Sequence, residues 1–427
     1  MNPEVFSGIR VLDFTQVIAG SYATTILGDM GAEIIKVEPP VHGDTLRFAG
    51  PMFKGESGFF LLNNRNKKSI SVNLKSDKGV ALIKELIPHC DIVTQNFKPG
   101  VMEKLGLSYQ EVKKIKQDII YVSVSGYGQN NKNSHRPAYD NIIQCETGLA
   151  SLNGHPGSGP LRNPLSISDY TAGMYSAFSM AAALIHRQKS GEGQFVDVAM
   201  FDTLVSIMDN SFLMCDFFAQ ELNGISDKES KEQRMIEMGL LHSGNRHPGA
   251  APHGFYKTKD GSIAHMSLTG GMWNKLLTII GRPELVDDPK YQQLDDRKRL
   301  WREIDQMVEE WTIKRTTSEV MEIFEANKLP VGEAKRVDQV FNSEHVKERE
   351  IFHTVEHPTA GAISVTNIPI KFSKTPTKIK NPSPLLGEHN LSVLSELLGH
   401  DQEMVESLLD KKVLYQRERG RKGKNNV

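Results

Sequence analysis

The chain has 427 residues, with 51 Lys+Arg against 52 Asp+Glu and a formal net charge of −1, which excludes a strongly basic nucleic-acid binder. Apolar residues make up 39% and charged residues 24%, which excludes a disordered chain and leaves room for two or three domains. Cys90, Cys145 and Cys215 form no Cys-x-x-Cys pair, so neither a disulfide framework nor a thiolate zinc site is expected.

The opening MNPEVFSGIRVLDF shows no basic stretch followed by an apolar one, and the longest nearly apolar run, Ala172 to Ile185, falls short of the ~20 residues of a spanning helix. A soluble cytoplasmic protein, with neither membrane nor nucleic acid as partner, is the expectation. Ile9 to Phe14 reads as a first strand. Ala19-Gly20-Ser21 breaks it, a helix follows over Tyr22 to Met30, and Gly31 stops that helix. Glu33 to Val37 is the second strand, ended by Pro39-Pro40. The alternation recurs with a strand at Ser69 to Leu74, a helix at Lys78 to Ile87, and strands at Asp91 to Gln95 and Ile119 to Val124. Alternating strands and helices predict parallel βαβ units, with ligand beyond the carboxyl ends of the strands.

Asp169 precedes a small-residue helix over Thr171 to Ile185, followed by a strand at Phe195 to Ala199 and a helix over Phe201 to Ala219. The polar stretch Leu222 to Pro252 reads as a linker. From Gly254 to about Asn327 a second unit is expected, with a strand pair turning at Lys259-Asp260-Gly261 and helices at Met272 to Ile280, Arg299 to Thr312 and Ser318 to Asn327. Strands return at Ile363 to Ile370, and a terminal helix at Leu391 to Leu398. The last segment, 411–427, carries seven Lys/Arg and one Glu, a local +6 that leaves the rest at −7. It reads as a solvated terminus rather than a nucleic-acid arm. The domain boundaries are thus placed at 1–221 for the first part of a large domain, 222–328 for linker and small domain, and 329–427 for a return to the large domain.

No GxxxxGK[ST], no GxGxxG after the first strand and no GxSxG occurs, so triphosphate, dinucleotide and serine-hydrolase readings lose support. His353, Glu356 and His357 spell H-x-x-E-H. A β-branched context stopped by Pro358 points to a strand, where the two histidines would lie ~13 Å apart, too far for one ion. Glu388-His389 is either an acid/base pair or the opening of the helix near Asn390. His242, His247 and His253 around Asn245-Arg246 are either substrate-facing or solvated.

The stretch Ser166-Ile167-Ser168-Asp169-Tyr170-Thr171-Ala172-Gly173 joins a loop to an apolar helix. Asp169 is there by default an N-terminal capping residue. Alternatively, free helix N–H groups would keep the carboxylate ionised and stabilise an oxyanion, making it a nucleophile toward a thioester carbonyl.

The chain resembles the class III CoA-transferases, the family of formyl-CoA and carnitine CoA-transferases, nearly end to end. The resemblance rests on Gly8-Ile9-Arg10-Val11-Leu12-Asp13, Ala19-Gly20, and Gly28-Asp29-Met30-Gly31-Ala32-Glu33-Ile34-Ile35-Lys36-Val37-Glu38. It continues through Gly43-Asp44 with Arg47, Asn64-Arg65-Asn66-Lys67-Lys68-Ser69, Asn96-Phe97 before Pro99-Gly100, and Arg136-Pro137-Ala138-Tyr139-Asp140. Asp169, Gly244-Asn245-Arg246-His247-Pro248, Gly281-Arg282-Pro283-Glu284-Leu285 and Pro384-Leu385-Leu386-Gly387-Glu388-His389 complete it.

The resemblance implies an α/β fold: a discontinuous Rossmann-like large domain with a parallel sheet, a smaller α+β domain, and an interlocked homodimer. It implies Asp169 as the acyl-accepting carboxylate, and CoA contacts at Ile18, Ala19, Val72, Asn73, Leu74, Lys75, Asn96, Phe97, Lys98, Lys104, Pro137, Ala138, Tyr139 and Asp140. Coenzyme A is then a co-substrate, with no metal, nicotinamide or flavin required. Ile18 stands in place of a glutamine, Pro39 where some members have an arginine, and Lys104 in place of an arginine, which speaks against a formyl/oxalate substrate pair. The expected reaction passes CoA from an acyl-CoA donor of the succinyl-CoA type to a small carboxylic acid. Arg47, Arg65, Arg136, Arg246 and His247 are candidates either for a second carboxylate or for structural salt bridges. The alternatives are a 2-methylacyl-CoA racemase of the same superfamily, which would need a base where Tyr139 stands, and a non-catalytic CoA-binding protein.

Overall fold

The computed structural model describes residues 4–208 and 211–417; residues 418–427 of the basic terminal segment lie outside the described residues. Packing separates two units, Met1–Ile143 with Leu165–Ile207 and Glu344–Val427, and Gln144–Pro164 with Met208–Ser343. The second unit thus takes in residues 144–164 and runs beyond the 222–328 read from sequence.

The first unit is built on six strands: β1 (Arg10–Asp13), β2 (Glu33–Glu38), β3 (Lys67–Ser71), β4 (Ile92–Gln95), β5 (Ile120–Ser125) and β6 (Phe195–Ala199). Their order is β3-β2-β1-β4-β5-β6 and every neighbour is parallel, the Rossmann-like arrangement expected. Val11, Leu12, Ile34, Ile35, Ile92, Val93 and Val122 are fully buried, as apolar runs covered on both faces must be. The strand order reverses between β1 and β4, so the segments leaving these two strands face the crevice where such sheets take ligands.

Helix α1 (Ala19–Asp29) follows β1, α2 (Asp77–Leu86) follows β3, and α3 (Ile167–Ser190) precedes β6. Helices α1 and α3 pack closely. A Cβ on Gly173 of α3 would lie 2.8 Å from the Ala19 carbonyl oxygen and 3.0 Å from the Tyr22 ring. The chain ends of this unit close on the β3 edge: Ser69 N–H donates to His389 Nδ1 at 3.2 Å, and Ser71 N–H to Asn390 Oδ1 at 3.0 Å. His389 therefore opens the helix Asn390–Leu398 and ties it to the sheet. The H-x-x-E-H segment is a strand, Phe352–His357, as expected.

The second unit has a three-stranded antiparallel sheet, His253–Lys257, Ser262–Met266 and Val331–Glu333, with the middle strand shared. Helices Gly270–Ile279, Trp301–Thr312 and Thr317–Ala326 cover it. They bury Trp273, Leu276, Ile304, Val308 and Phe324.

Three expectations need correction. The helix expected over Phe201 to Ala219 is broken into Met200–Ser206, Ser211–Phe217 and Ala219–Gly224, with residues 209 and 210 outside the described residues. The stretch read as linker holds a helix, Lys228–Met238, capped by the Asp227 carboxylate on Ser230 N–H and ended by left-handed Gly239; its polar composition concealed its caps. A second terminal helix, Gln402–Asp410, begins at Asp401, which accepts from Met404 N–H.

Gly173→Ala should lower stability. A mid-helix alanine gains roughly 1 kcal/mol in propensity over glycine, but forcing a methyl against backbone costs typically ~1–3 kcal/mol. Urea denaturation is expected to show a net loss; a net gain would mean α1 and α3 can separate freely.

Candidate active site

Ser166 occupies the cap position of α3 without a side-chain cap. The first-turn donor is met from another segment: Asp140 Oδ1 accepts from Ser168 N–H at 2.9 Å and from the Ser168 hydroxyl at 2.7 Å. Asp169 follows as the third helical residue, 9% exposed, and its carboxylate accepts no hydrogen bond from any described residue. Burial, and then the neighbouring Asp140 charge, push Asp169 up to about 7. This corrects two expectations. Asp169 does not cap the helix, and no helix N–H group among the described residues bonds its carboxylate; Asp140 takes the Ser168 N–H.

Asp169 precedes Gly173 by one turn, so both lie on the face turned to α1. Tyr170 packs edge-on to Tyr22 at 4.9 Å and joins the cluster around Ile18, Leu46 and Phe60. The exit of β1 is held from β4: Asn96 Nδ2 donates to Gln16 O at 2.7 Å while its Oδ1 accepts from Gln16 N–H at 2.8 Å. Ile18 and Ala19, both buried, begin α1 there. Phe97, half-buried, is set by its N–H donating to Gln95 Oε1. Ala138 lies against the end of β5, where a Cβ on Gly126 would come within 2.1 Å of it. Pro137, Ala138, Tyr139 and Asp140 thus arrive at the same carboxyl end of the sheet.

Val72 to Lys75 leave β3 at that end. Val72 is buried and bridged to Leu414, Asn73 N–H donates to Val413 O, Leu74 is half-buried and Lys75 is exposed. Lys75, Lys98 and Lys104 are exposed and form no ion pair among the described residues. Tyr139 is 69% exposed.

The arginines divide. Arg47 turns its fork inward, Nε to Glu38 Oε2 at 2.8 Å and Nη2 to Glu38 Oε1 at 2.7 Å, with Phe60 under its plane at 3.7 Å. Arg65 pairs with buried Asp29 at 2.6 Å. These two guanidiniums serve the interior, which composition could not reveal. Arg136 lies over Tyr127 at 4.9 Å. In the second unit Arg246 stacks on Trp301 at 4.2 Å, and His247 stacks on His253 at 4.4 Å. Arg246, His247 and His253 line a cavity of about 490 Å³ there.

Sequence reasoning missed the structural partners of this site. Lys36 sits at 0% exposure inside β2, paired with Asp44 at 2.9 Å. A lysine amid Glu33-Ile34-Ile35-Lys36-Val37 was the available signal, since a charge on a buried strand needs a partner.

The family model for CoA-transferase family III matches residues 6–390. The chain belongs to this family. The transferase is 34% identical to human succinyl-CoA:glutarate CoA-transferase over 98% of this chain and 91% of that protein. It is 32% identical to the succinyl-CoA–L-malate CoA-transferase beta subunit of Chloroflexus aurantiacus over 96% and 98%. Among solved structures it resembles a CAIB/BAIF family protein from Brucella suis, at TM-score 0.77 and 28% identity over 93% of this chain and 100% of that one. A Mycobacterium tuberculosis protein aligns at TM-score 0.78 and 30% identity over 91% and 99%. The family and the fold read from sequence are both met.

If Asp169 is the nucleophile of the transferase, its ionised form reacts. kcat/KM for acyl-CoA should then rise with pH through a midpoint near 7. Asp140→Asn keeps the oxygen that accepts from Ser168 and removes the charge, so the midpoint should fall while burial keeps it above the 3.8 of a free aspartate; an unmoved midpoint would refute the coupling. Because folding raises this pKa, the stabilising contribution is complete below 3.8 and is lost as pH rises to about 7. Asp169→Asn should therefore out-stabilise the wild type at pH 7.5, by up to about 4 kcal/mol at about 1.4 kcal/mol per unit, with the gap closing toward pH 4 in thermal melts.

Proposed function

We propose that this protein passes CoA from a succinyl-type acyl-CoA to a small carboxylic acid, with Asp169 as the covalent carrier. The observation that carries the reading is a buried carboxylate at the carboxyl end of the sheet that accepts no hydrogen bond from any described residue, so that burial and the Asp140 charge push it up to about 7. Such a group is basic enough to be a strong nucleophile and still available as the anion at neutral pH. The named relatives act on succinyl-CoA with glutarate or malate, which supports the donor class and an acidic acceptor.

In the first step an Asp169 oxygen bonds to the donor thioester carbon, the C–S bond breaks, and CoA thiolate leaves a mixed anhydride. The thiolate then attacks the Asp169 carbonyl carbon, releasing the donor acid and leaving an aspartyl-CoA thioester. The acceptor carboxylate attacks that thioester and displaces the thiolate. The thiolate takes the acceptor's acyl carbon, and Asp169 returns as carboxylate. Both intermediates hydrolyse if water enters, so the burial of Asp169, 9% exposed, limits that loss.

Unpaired Lys75, Lys98 and Lys104 supply charge for the CoA phosphates, and Phe97 and Tyr139 supply apolar surface. Ile18, Ala19, Val72, Asn73, Leu74, Asn96, Pro137, Ala138 and Asp140 complete the contact set. Arg246 and His247 remain the acceptor-binding candidates; Arg47 is turned to Glu38 instead. The balanced charge and free cysteines fit a reducing cytoplasm.

The test is to incubate wild type and Asp169→Ala with succinyl-CoA, trap with hydroxylamine, and read peptide masses. Wild type should carry the adduct at Asp169, and the variant should lose transfer by at least ~10³-fold; undiminished transfer would remove Asp169 from the mechanism.

A homodimer belongs to the same reading. Met174, Phe178 and Ile185 recur on one side of α3 and are 51%, 72% and 55% exposed, an apolar stripe suited to a second copy. Sedimentation should give about twice 47.7 kDa, and Phe178→Glu should shift the protein toward monomer.

A further inference from the structure

One backbone conformation at the proposed CoA site is foreign to its residue type. Val17 sits at φ 61°, in the left-handed region that a β-branched side chain strongly disfavours. It immediately precedes Ile18 and Ala19.

Buried polar groups clamp the residues around it. Val17 N–H donates to Asp44 Oδ1 at 3.0 Å. Both polar groups of the preceding Gln16 peptide are taken by Asn96. Asp44 is itself fixed: its N–H donates to Glu38 Oε2 at 2.9 Å, Oδ1 also accepts from Leu46 N–H, and Oδ2 pairs with Lys36 at 2.9 Å. Lys36 Nζ donates to Thr15 O at 2.7 Å. The Lys36–Asp44 pair, both members at 0% exposure, therefore grips the β1 exit on either side of Gln16, by the Thr15 carbonyl and the Val17 amide.

A pair that served only to fill the interior would be replaceable by apolar groups at little cost. This pair instead spends its hydrogen bonds on the loop that turns into α1. Gly43 makes the approach possible. At φ 67°, a Cβ there would come within 2.7 Å of Glu38 Oε2, the oxygen that receives Asp44 N–H.

We propose that Asp44, held by Lys36, is a positioning residue for coenzyme A: it locks Val17 in the left-handed conformation and so sets the Ile18–Ala19 backbone against which the coenzyme lies. This rests on the CoA contacts assigned above to Ile18 and Ala19.

CoA binding to the full-length protein, read by isothermal titration beside thermal melts, tests it. Lys36→Met with Asp44→Ala removes both charges together and takes away the Val17 acceptor; CoA affinity should fall about tenfold or more. Adding Val17→Gly, which needs no clamp to hold φ 61°, should restore affinity to within about threefold of wild type. Lys36→Met with Asp44→Asn keeps an acceptor oxygen and should bind within about the same range. General loss of stability would not be reversed by inserting glycine. If Lys36→Met/Asp44→Ala does not melt cooperatively, Asp44→Glu, which keeps the charge and displaces the acceptor, is measured in its place with the same expectation. Wild-type affinity in the clamp variant, or no recovery with glycine, overturns the inference alone. A wild type that binds no CoA overturns the site assignment and the inference with it.

Discussion

A largely buried carboxylate that accepts no hydrogen bond from any described residue is the constraint on which this structure turns. Burial raises Asp169 above the ordinary aspartate value, whereas full hydrogen bonding to its carboxylate would hold it ionised and weakly nucleophilic. Two acids divide the roles here, and burial and the charge of Asp140 both raise Asp169. Asp140 takes the Ser168 N–H and hydroxyl at the start of α3, so the stabilising donor is spent on the neighbour. Asp140 then acts on Asp169 only through its charge. Close packing at Gly173 holds α3 against α1, which keeps that side of the helix dry.

Beneath the site, burial has the opposite outcome. Glu38 is as thoroughly desolvated as any group in the protein, yet Arg47 and Lys36 outweigh the burial penalty and hold it at about 2. Burial is opposed in the same way at Lys36, where Asp44 and Asp13 keep the ammonium above its ordinary value. Lys67 shows the intermediate case. Asp13 lies 3.3 Å away, but burial, together with the charge of Lys36, lowers it to about 7. Glu38 and Lys36 are thus compensated below the carboxyl ends of the strands, whereas burial and a like charge both raise Asp169. The uncompensated group is where chemistry is proposed.

Strand positions were legible in the sequence because short apolar runs bounded by Gly and Pro carry their own period and stops; β6 agrees at both ends with the run read as Phe195 to Ala199. Helices with an apolar face were legible for the same reason, to within a few residues. The Lys228–Met238 helix was not, because its caps hold a segment whose composition is that of a loop. At the site, Asp169 was visible through its motif, but its state was not: the Ser168 donor is claimed by a residue 28 positions earlier, a fact of tertiary contact. The choice between substrate and salt bridge at Arg47 and Arg65 was open for the related reason that an arginine facing substrate and one facing a buried acid look alike in sequence; both form buried salt bridges. Lys36 is the informative exception, since a charge inside a fully buried strand already implied a partner.

Two unfavourable features of this unit lie at the carboxyl end of its sheet. Val17 is strained and Asp169 is unsatisfied there, and both adjoin the start of α1. Local departures from ideal packing persist only where surrounding structure over-determines them. Here the over-determination is visible in Asn96 on one side of the β1 exit and the Lys36–Asp44 pair on the other. The Gly43-Asp44 and Arg47 motif and the Lys36-Val37-Glu38 end of β2 are therefore one device rather than two. Glu38 receives both Arg47 and the Asp44 N–H, and Asp44 receives Lys36 and Val17. Residues that carry no chemistry themselves thus support the conformation on which the chemistry of Asp169 is proposed to depend.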